Sequence, residues 1–242
     1  KLNQSISATG ICLTIGADNI VLDGNGYGIN CPGCSIDHYG ISSPTNKQNV
    51  TVKNLLINGF GYGFDINSAN GWTLQNNTIF SSVYGGVSLW GSDKNTLADN
   101  RIYSNIIGIG LYTGSDNNLI LNSNISYNTN KQIFIWSGSS NNIVSDQASI
   151  SSDPYGYIYV GGSGAGYGDA INNTAINVTY VSGKEIVETN SELIRKWYLD
   201  ILVRDQSNGN PIQNAQIRIN GVLVGSTDAN GKLSNKVLTE YT

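Results

Sequence analysis

The sequence predicts an all-β chain in which a right-handed parallel β-helix is followed by a partial antiparallel sandwich. Three observations carry this. First, Val52, Leu74, Leu97, Ile120 and Val144 recur at spacings of 22, 23, 23 and 24. Parallel columns run beside them: Ile57, Ile79, Ile102, Ile125; Phe64, Val87, Ile109, Ile133; and Ile66, Leu89, Leu111, Ile135. A period of this length marks a repeat whose unit cannot bury its apolar face alone and must stack on its neighbours. Second, the local period within a repeat is two, as in Phe64 and Ile66 or Val87 and Leu89, which belongs to strands and not to a helical solenoid. Third, Asn54, Asn76, Asp99, Asn122 and Asp146 each follow the first column by two residues. Asn and Asp tolerate the left-handed backbone of a tight corner, and stacked amides can bond the coils above and below.

A repeat of this length accommodates about three short strands with corners, each coil climbing about 4.8 Å. A second polar ladder, Asn95, Asn118 and Asn142, sits two residues before the core column, and Gly63, Gly86 and Gly108 mark a further bend. Leu22 belongs to the first coil, separated from Val52 by an insertion that holds Cys31 and Cys34. The helix with its N-terminal cap is expected over 1–170, a C-terminal cap and linker over 171–195, and the partial sandwich over 196–242.

Composition supports this and excludes several functions. Of 242 residues 29 are Gly and only 12% are charged, while Asn is at least as frequent as Gly, as corners in every coil require. The net charge of -4, without a Lys/Arg cluster, argues against a nucleic-acid partner. No apolar run approaches the ~18 residues needed to span a bilayer. The chain has no Met and opens on Lys1, which fits either a secreted protein after signal removal or a trimmed chain.

Six Asn-x-Ser/Thr triplets, at Asn3, Asn49, Asn76, Asn124, Asn172 and Asn177, are candidate N-glycan acceptors, with composition alone the competing explanation. Asn76 also belongs to the corner ladder. The cysteines are Cys12, Cys31 and Cys34. Cys31-Pro-Gly-Cys34 has the spacing of half a zinc or redox site, with only Cys12 and His38 to supply further ligands. A disulfide from Cys12 to one of the other two is the favoured expectation, because it would fasten the inserted loop to the first coil.

Beyond Ser151 the period fades. Tyr155, Tyr157 and Tyr159 alternate, as an edge strand or a sugar-stacking face would, and a glycine-dense stretch follows. Residues 174–187 alternate again and are expected to cap the open end of the helix. From Trp197 a strand carries Leu199, Ile201 and Val203 on one face, and Ile217 and Ile219 mark a second. This unit is shorter than the ~80 to 100 residues of a full sandwich. These five residues are therefore the expected assembly face, covered by another copy in an oligomer or filament or by further chain.

Residues 10–150 resemble the right-handed parallel β-helix superfamily that includes pectate lyases, particularly copper-associated periplasmic β-helix proteins and archaeal secreted surface proteins. Asn19-Ile-Val-Leu-Asp-Gly-Asn-Gly-Tyr27 is similar to the opening coil of that superfamily. Asp205, Gly209-Asn-Pro-Ile and Asn214-Ala-Gln-Ile resemble carboxypeptidase-regulatory-like or immunoglobulin-like surface domains. The superfamily's enzymes act on polysaccharides. Tyr62-Gly-Phe-Asp65-Ile-Asn67 resembles the Tyr-Gly-Phe-Asp-Pro-His stretch of alginate C5-epimerases, but Asn67 stands where the proton-exchanging histidine belongs. His38, about one coil earlier, is the chain's sole histidine and the residue that could replace it. The acids Asp99 and Asp146 lie two coils, about 10 Å, apart and read as corner residues. Arg101 has no acidic cluster beside it, and a copper site would need more His, Met or Cys than exist here.

The sequence therefore favours a non-catalytic structural protein of the cell surface or extracellular space, with no catalytic residue, cofactor or metal, joined into a filament or surface layer. A polysaccharide-modifying enzyme of the uronate lyase or epimerase type and a carbohydrate-binding adhesin are the alternatives.

Overall fold

The computed structural model describes residues 1–43, 46–146, 158–162, 166–180 and 183–241, and divides them into two units, Lys1–Leu193 and Ile194–Thr242. In the first unit the chain winds through three walls of parallel strands. The first wall stacks Ile6–Ser7, Gly28–Asn30, Leu56–Asn58, Thr78–Phe80, Arg101–Tyr103 and Asn124–Ser126. The second stacks Leu13–Thr14, Tyr39–Ser43, Tyr62–Asn67, Gly85–Trp90, Ile107–Tyr112, Lys131–Trp136, Ile158–Gly161 and Glu185–Val187. The third stacks Val21–Asp23, Thr51–Lys53, Thr73–Gln75, Thr96–Ala98, Leu119–Leu121, Ile143–Ser145 and Asn173–Ile176. Among the described residues no helix is long and apolar enough to cross a membrane.

The register is the one the apolar columns demand. Val52 pairs with Leu74, Leu74 with Leu97, Leu97 with Ile120 and Ile120 with Val144. Phe64, Val87, Ile109 and Ile133 face one another in the second wall, and every column residue is buried. Because strand side chains alternate, a slip of one residue would turn a whole column outward, so burial fixes the register.

The corner after the third wall is the Asn/Asp ladder. Asn54, Asn76, Asp99, Asn122 and Asp146 all have φ between 46° and 57°. Asn76 Nδ2 donates to Asn54 Oδ1 at 2.8 Å and Asn122 Nδ2 to Asp99 Oδ1 at 2.7 Å, on the exposed edge of the coil. The second ladder lies inside and runs one residue further than expected, to Asn173. Trp72 N–H donates to Asn95 Oδ1, Asn95 N–H to Asn118 Oδ1, Asn118 N–H to Asn142 Oδ1 and Asn142 N–H to Asn173 Oδ1, at 2.8 to 3.1 Å. Each amide thereby satisfies a corner N–H that would otherwise be buried without a partner. Two more interior ladders, Asn77–Asn100–Ser123 and Ser92–Ser115–Ser139, do the same at other corners.

Gly63, Gly86 and Gly108 are not bends. They lie within second-wall strands, where a Cβ on Gly86 would stand 2.7 Å from both Gly108 O and Ile102 Cγ2. With Gly40 they form a column without side chains into which the first-wall isoleucines press.

The expected disulfide from Cys12 is not formed. Cys31 bonds Cys34 across a short turn with Cα atoms 5.6 Å apart, and Cys12 is a free, half-buried thiol. The inserted loop closes on itself, so it needs no link to the first coil.

In the second unit the strand Leu193–Leu202, from Arg195 onward, pairs antiparallel with Lys232–Tyr241, and Gln216–Ile219 pairs antiparallel with Val222–Ser226. An immunoglobulin-like sandwich is not shown. The expected assembly face, Leu199, Ile201, Val203, Ile217 and Ile219, is half-buried, whereas Tyr198, Leu202, Ile212, Val222, Leu223 and Val237 are exposed.

Candidate functional site

In the second wall, alternate residues of each strand point away from the core. Between the buried columns this places Tyr62, Asp65 and Asn67 of one coil beside Ser88 and Trp90 of the next and Gly110 and Tyr112 of the one after. The result is a face of aromatic rings with the Asp65 carboxyl among them. Tyr39, Tyr62 and Tyr84 follow one another with ring centroids 5.8 and 5.2 Å apart. Trp90 stacks on Tyr112 at 4.2 Å, Phe134 stacks on Trp136 at 5.2 Å, and Tyr159 meets both of these rings. Gly110 makes this possible: its missing side chain leaves room for the Tyr112 ring, which lies across it.

Asp65 is half-buried among these rings, and burial raises its carboxyl pKa. Hydrogen bonds from Asn67, 2.9 Å away, and from Trp90 oppose the shift without cancelling it. Burial also pushes the Tyr62 phenol up to about 12, reinforced by Tyr84 and by the charges of Asp65, Tyr39 and Asp37. Tyr62 is therefore a hydrogen-bond donor near neutral pH, not a base. Two polar atoms on this wall, Ser88 Oγ and Tyr112 Oη, are buried without a hydrogen-bond partner. Chemically, the face offers a carboxyl that holds its proton longer than usual and flat rings suited to the apolar faces of sugars.

The other candidate residues lie elsewhere. The His38 imidazole turns into its own loop, where Nδ1 accepts the Ser35 N–H at 3.2 Å, while its carbonyl accepts N–H bonds from Gly61 and Tyr62. Asp99 and Asp146 stay in the exposed corner ladder, bonded by Asn122 and Asn177. Arg101 lies over Tyr103 on the first wall. Asn3, Asn49, Asn76, Asn172 and Asn177 are exposed and Asn124 is half-buried. Asn49, Asn76 and Asn177 already donate to Asn19, Asn54 and Asp146. Tyr155 and Tyr157 fall outside the described residues, and Tyr159 donates to Glu188. Tyr84, Trp90, Tyr112, Phe134 and Trp136 escaped the sequence reading. Their signal was available, because Asn67, Trp90, Tyr112 and Trp136 each follow a core column by one residue.

The sequence profile described as the right handed beta helix region matches residues 4–180. The chain belongs to the right-handed β-helix family. Among solved structures this β-helix is similar to a single-substitution variant of the periplasmic alginate epimerase AlgG, at 18% identity and a TM-score of 0.51, covering 74% of this chain and 50% of that one. A double variant of the same epimerase gives 18% identity, a TM-score of 0.50 and coverage of 70% and 49%. An alginate lyase from Paenibacillus sp. str. FPU-7 is more distant, at 15% identity and a TM-score of 0.42, covering 73% of this chain and 77% of that one. At these identities the likeness is one of fold. The chain spans about half the length of the epimerase structures. No curated protein sequence matches it.

Proposed function

We propose that this β-helix binds a polysaccharide along the outer face of its second wall and modifies it there, with Asp65 as the proton-donating acid. The observation that carries the reading is a half-buried carboxyl of raised pKa set among Tyr62, Tyr84, Trp90 and Tyr112. Successive coils are about 4.8 Å apart, close to the length of one sugar ring, so a glycan running parallel to the helix axis would meet one set of side chains per residue. Uronate epimerisation and β-elimination both begin by removing a proton from carbon. Neither Asn67 nor a phenol that ionises near 12 does this at neutral pH. Protonation of a glycosidic oxygen by Asp65 suits the groups present better, and Asp37, whose charge is felt at Tyr62, is the second carboxylate of this region. The periplasmic alginate epimerase supplies a precedent for polysaccharide chemistry on this fold and for an extracytoplasmic location.

The test is incubation of the protein with uronate-containing and neutral polysaccharides. New reducing ends report hydrolysis, unsaturated sugars report elimination, and NMR reports epimerisation. Activity that disappears in Asp65→Asn, with glycan binding weakened in Trp90→Ala, supports the reading. A wild-type chain that neither binds nor alters any of these glycans removes it.

A second reading, a subunit of an extracellular filament or surface layer carrying N-glycans, is favoured by one observation. Val222, at 68% exposure, and its neighbour Leu223 present apolar surface on the C-terminal unit. On this reading, residues 196–242 are the beginning of an immunoglobulin-like domain completed by another segment. Light scattering of the native protein across concentration tests it, and a strictly monomeric particle counts against it.

A further inference from the structure

Between the first and second walls of one coil, the inserted loop brings three metal-binding side chains together. Ligand atoms of Cys31, Cys34 and His38 all lie within 4.8 Å of one another. Cys31 is buried, and the other two are half-buried. The loop is pinned at both ends: Cys31 N–H donates to Asn58 O at 3.0 Å, and His38 O accepts Gly61 N–H at 2.8 Å and Tyr62 N–H at 3.2 Å. Gly59 and Gly61 fit tightly beneath it, since a Cβ on Gly59 would stand 2.7 Å from Cys31 O and one on Gly61 would collide with Ile36 O. These anchors use the backbone alone. None of them depends on the bond between the sulfurs.

We propose that reduction of the Cys31–Cys34 disulfide converts this loop into a zinc site with Cys31, Cys34 and His38 as ligands. A dithiol reductant gives two electrons and two protons to the disulfide and becomes a disulfide itself, leaving two thiols. Zinc then displaces one proton from each thiol. The His38 Nδ1 lone pair now accepts the Ser35 N–H, so the imidazole binds zinc through Nε2, or through Nδ1 once that hydrogen bond is released. Two thiolates and one imidazole are a donor set that zinc favours, and three protein ligands leave a fourth position for water. Spacing reinforces the geometry, because a Cys-x2-Cys-x3-His run places all three ligands on one turn without help from distant coils. Oxidised, the loop is a closed staple; reduced, it takes a metal.

The experiment uses the full chain, oxidised or reduced by a dithiol that is then removed under anaerobic conditions, and titrates Zn2+ against a chromophoric chelator. The expected result is one Zn2+ per reduced chain and none per oxidised chain. Cys34→Ser should abolish binding, His38→Ala should weaken it by roughly tenfold or more, and Cys12→Ser should leave it unchanged. Co2+ in place of zinc should give a thiolate charge-transfer band in the reduced parent only. If reduction lowers Tm, zinc should restore it in the parent and not in His38→Ala. A reduced chain that binds no zinc, an oxidised chain that binds equally well, full affinity in His38→Ala, or loss of binding in Cys12→Ser would each overturn the site.

Discussion

The Cγ2 methyl of Ile102 occupies the space that a side chain on Gly86 would need, 2.7 Å from where its Cβ would lie. The backbone oxygen of Gly108 is equally close on the other side, so neither neighbour can withdraw easily. Gly86→Ala should therefore destabilise the fold by about 1–3 kcal/mol, the usual cost of overpacking a filled core. Urea unfolding measures this, and a midpoint equal to the parent's would show that the column can open.

Asn118 is the central rung of the interior ladder. Its Oδ1 accepts Asn95 N–H and Asn95 Nδ2, and its Nδ2 donates to Ser92 O and Asn142 Oδ1. Asn118→Leu keeps the branched shape and strands several buried polar groups, each costing about 1–3 kcal/mol. A loss of at least about 3 kcal/mol is expected by the same unfolding measurement.

Asp99→Asn changes a residue of similar chemistry on the outside and should shift stability by less than about 0.5 kcal/mol. An amide oxygen can accept the Asn122 bond as the carboxylate does, and Asn already occupies this corner at Asn76 and Asn122. A larger loss, or loss of any enzymatic activity found, would assign Asp99 a role beyond the corner.

Burial makes the folded chain hold the Asp65 proton more tightly than the unfolded chain does. Its stabilising contribution is thus complete below the unfolded carboxyl pKa of about 3.9 and is lost as pH rises through the folded value. Asp65→Asn removes this loss, so its Tm relative to the parent should rise as pH increases above about 4. A difference that stays constant across this range would mean that the carboxyl is not desolvated.

Tyr62 behaves in the same sense at alkaline pH. Its folded pKa is about 12, so the stability it lends is complete below the unfolded phenol pKa near 10 and disappears as pH climbs towards 12. Tyr62→Phe should flatten that part of the stability profile.

The coils were legible because each one repeats the same demand. Leu97 must be apolar for the reason that Leu74 and Ile120 must be, and Asp99 must tolerate positive φ as Asn76 does. Residues that answer to a single local circumstance were not legible. Cys12 looked like the partner of Cys31 or Cys34, but the turn at Pro32 and Gly33 brings those two cysteines to each other. Gly86 looked like a bend because glycine suits bends, whereas here the demand comes from Ile102 across the interior. The aromatic face was partly hidden by strand alternation: Trp90 and Tyr112 follow core positions, and their mutual stacking depends on the pairing of two coils. Residues 196–242 contain no repeat, so their strands could be anticipated while their closure could not.

The direction of the interior amides makes the molecule modular. Every rung receives an N–H from the coil before it, so the top of one coil and the bottom of the next carry matching chemistry all along the stack. Deleting residues 95–117 would bring Asn118 beneath Trp72 in the orientation Asn95 now holds, and duplicating them would insert a rung without breaking one. Such a protein can change length by tandem gain or loss of whole coils, in steps of about 4.8 Å, while a fractional step would set amide against carbon. The length of its aromatic face is thus set by coil number, a quantity that unequal recombination within the gene can alter in one event.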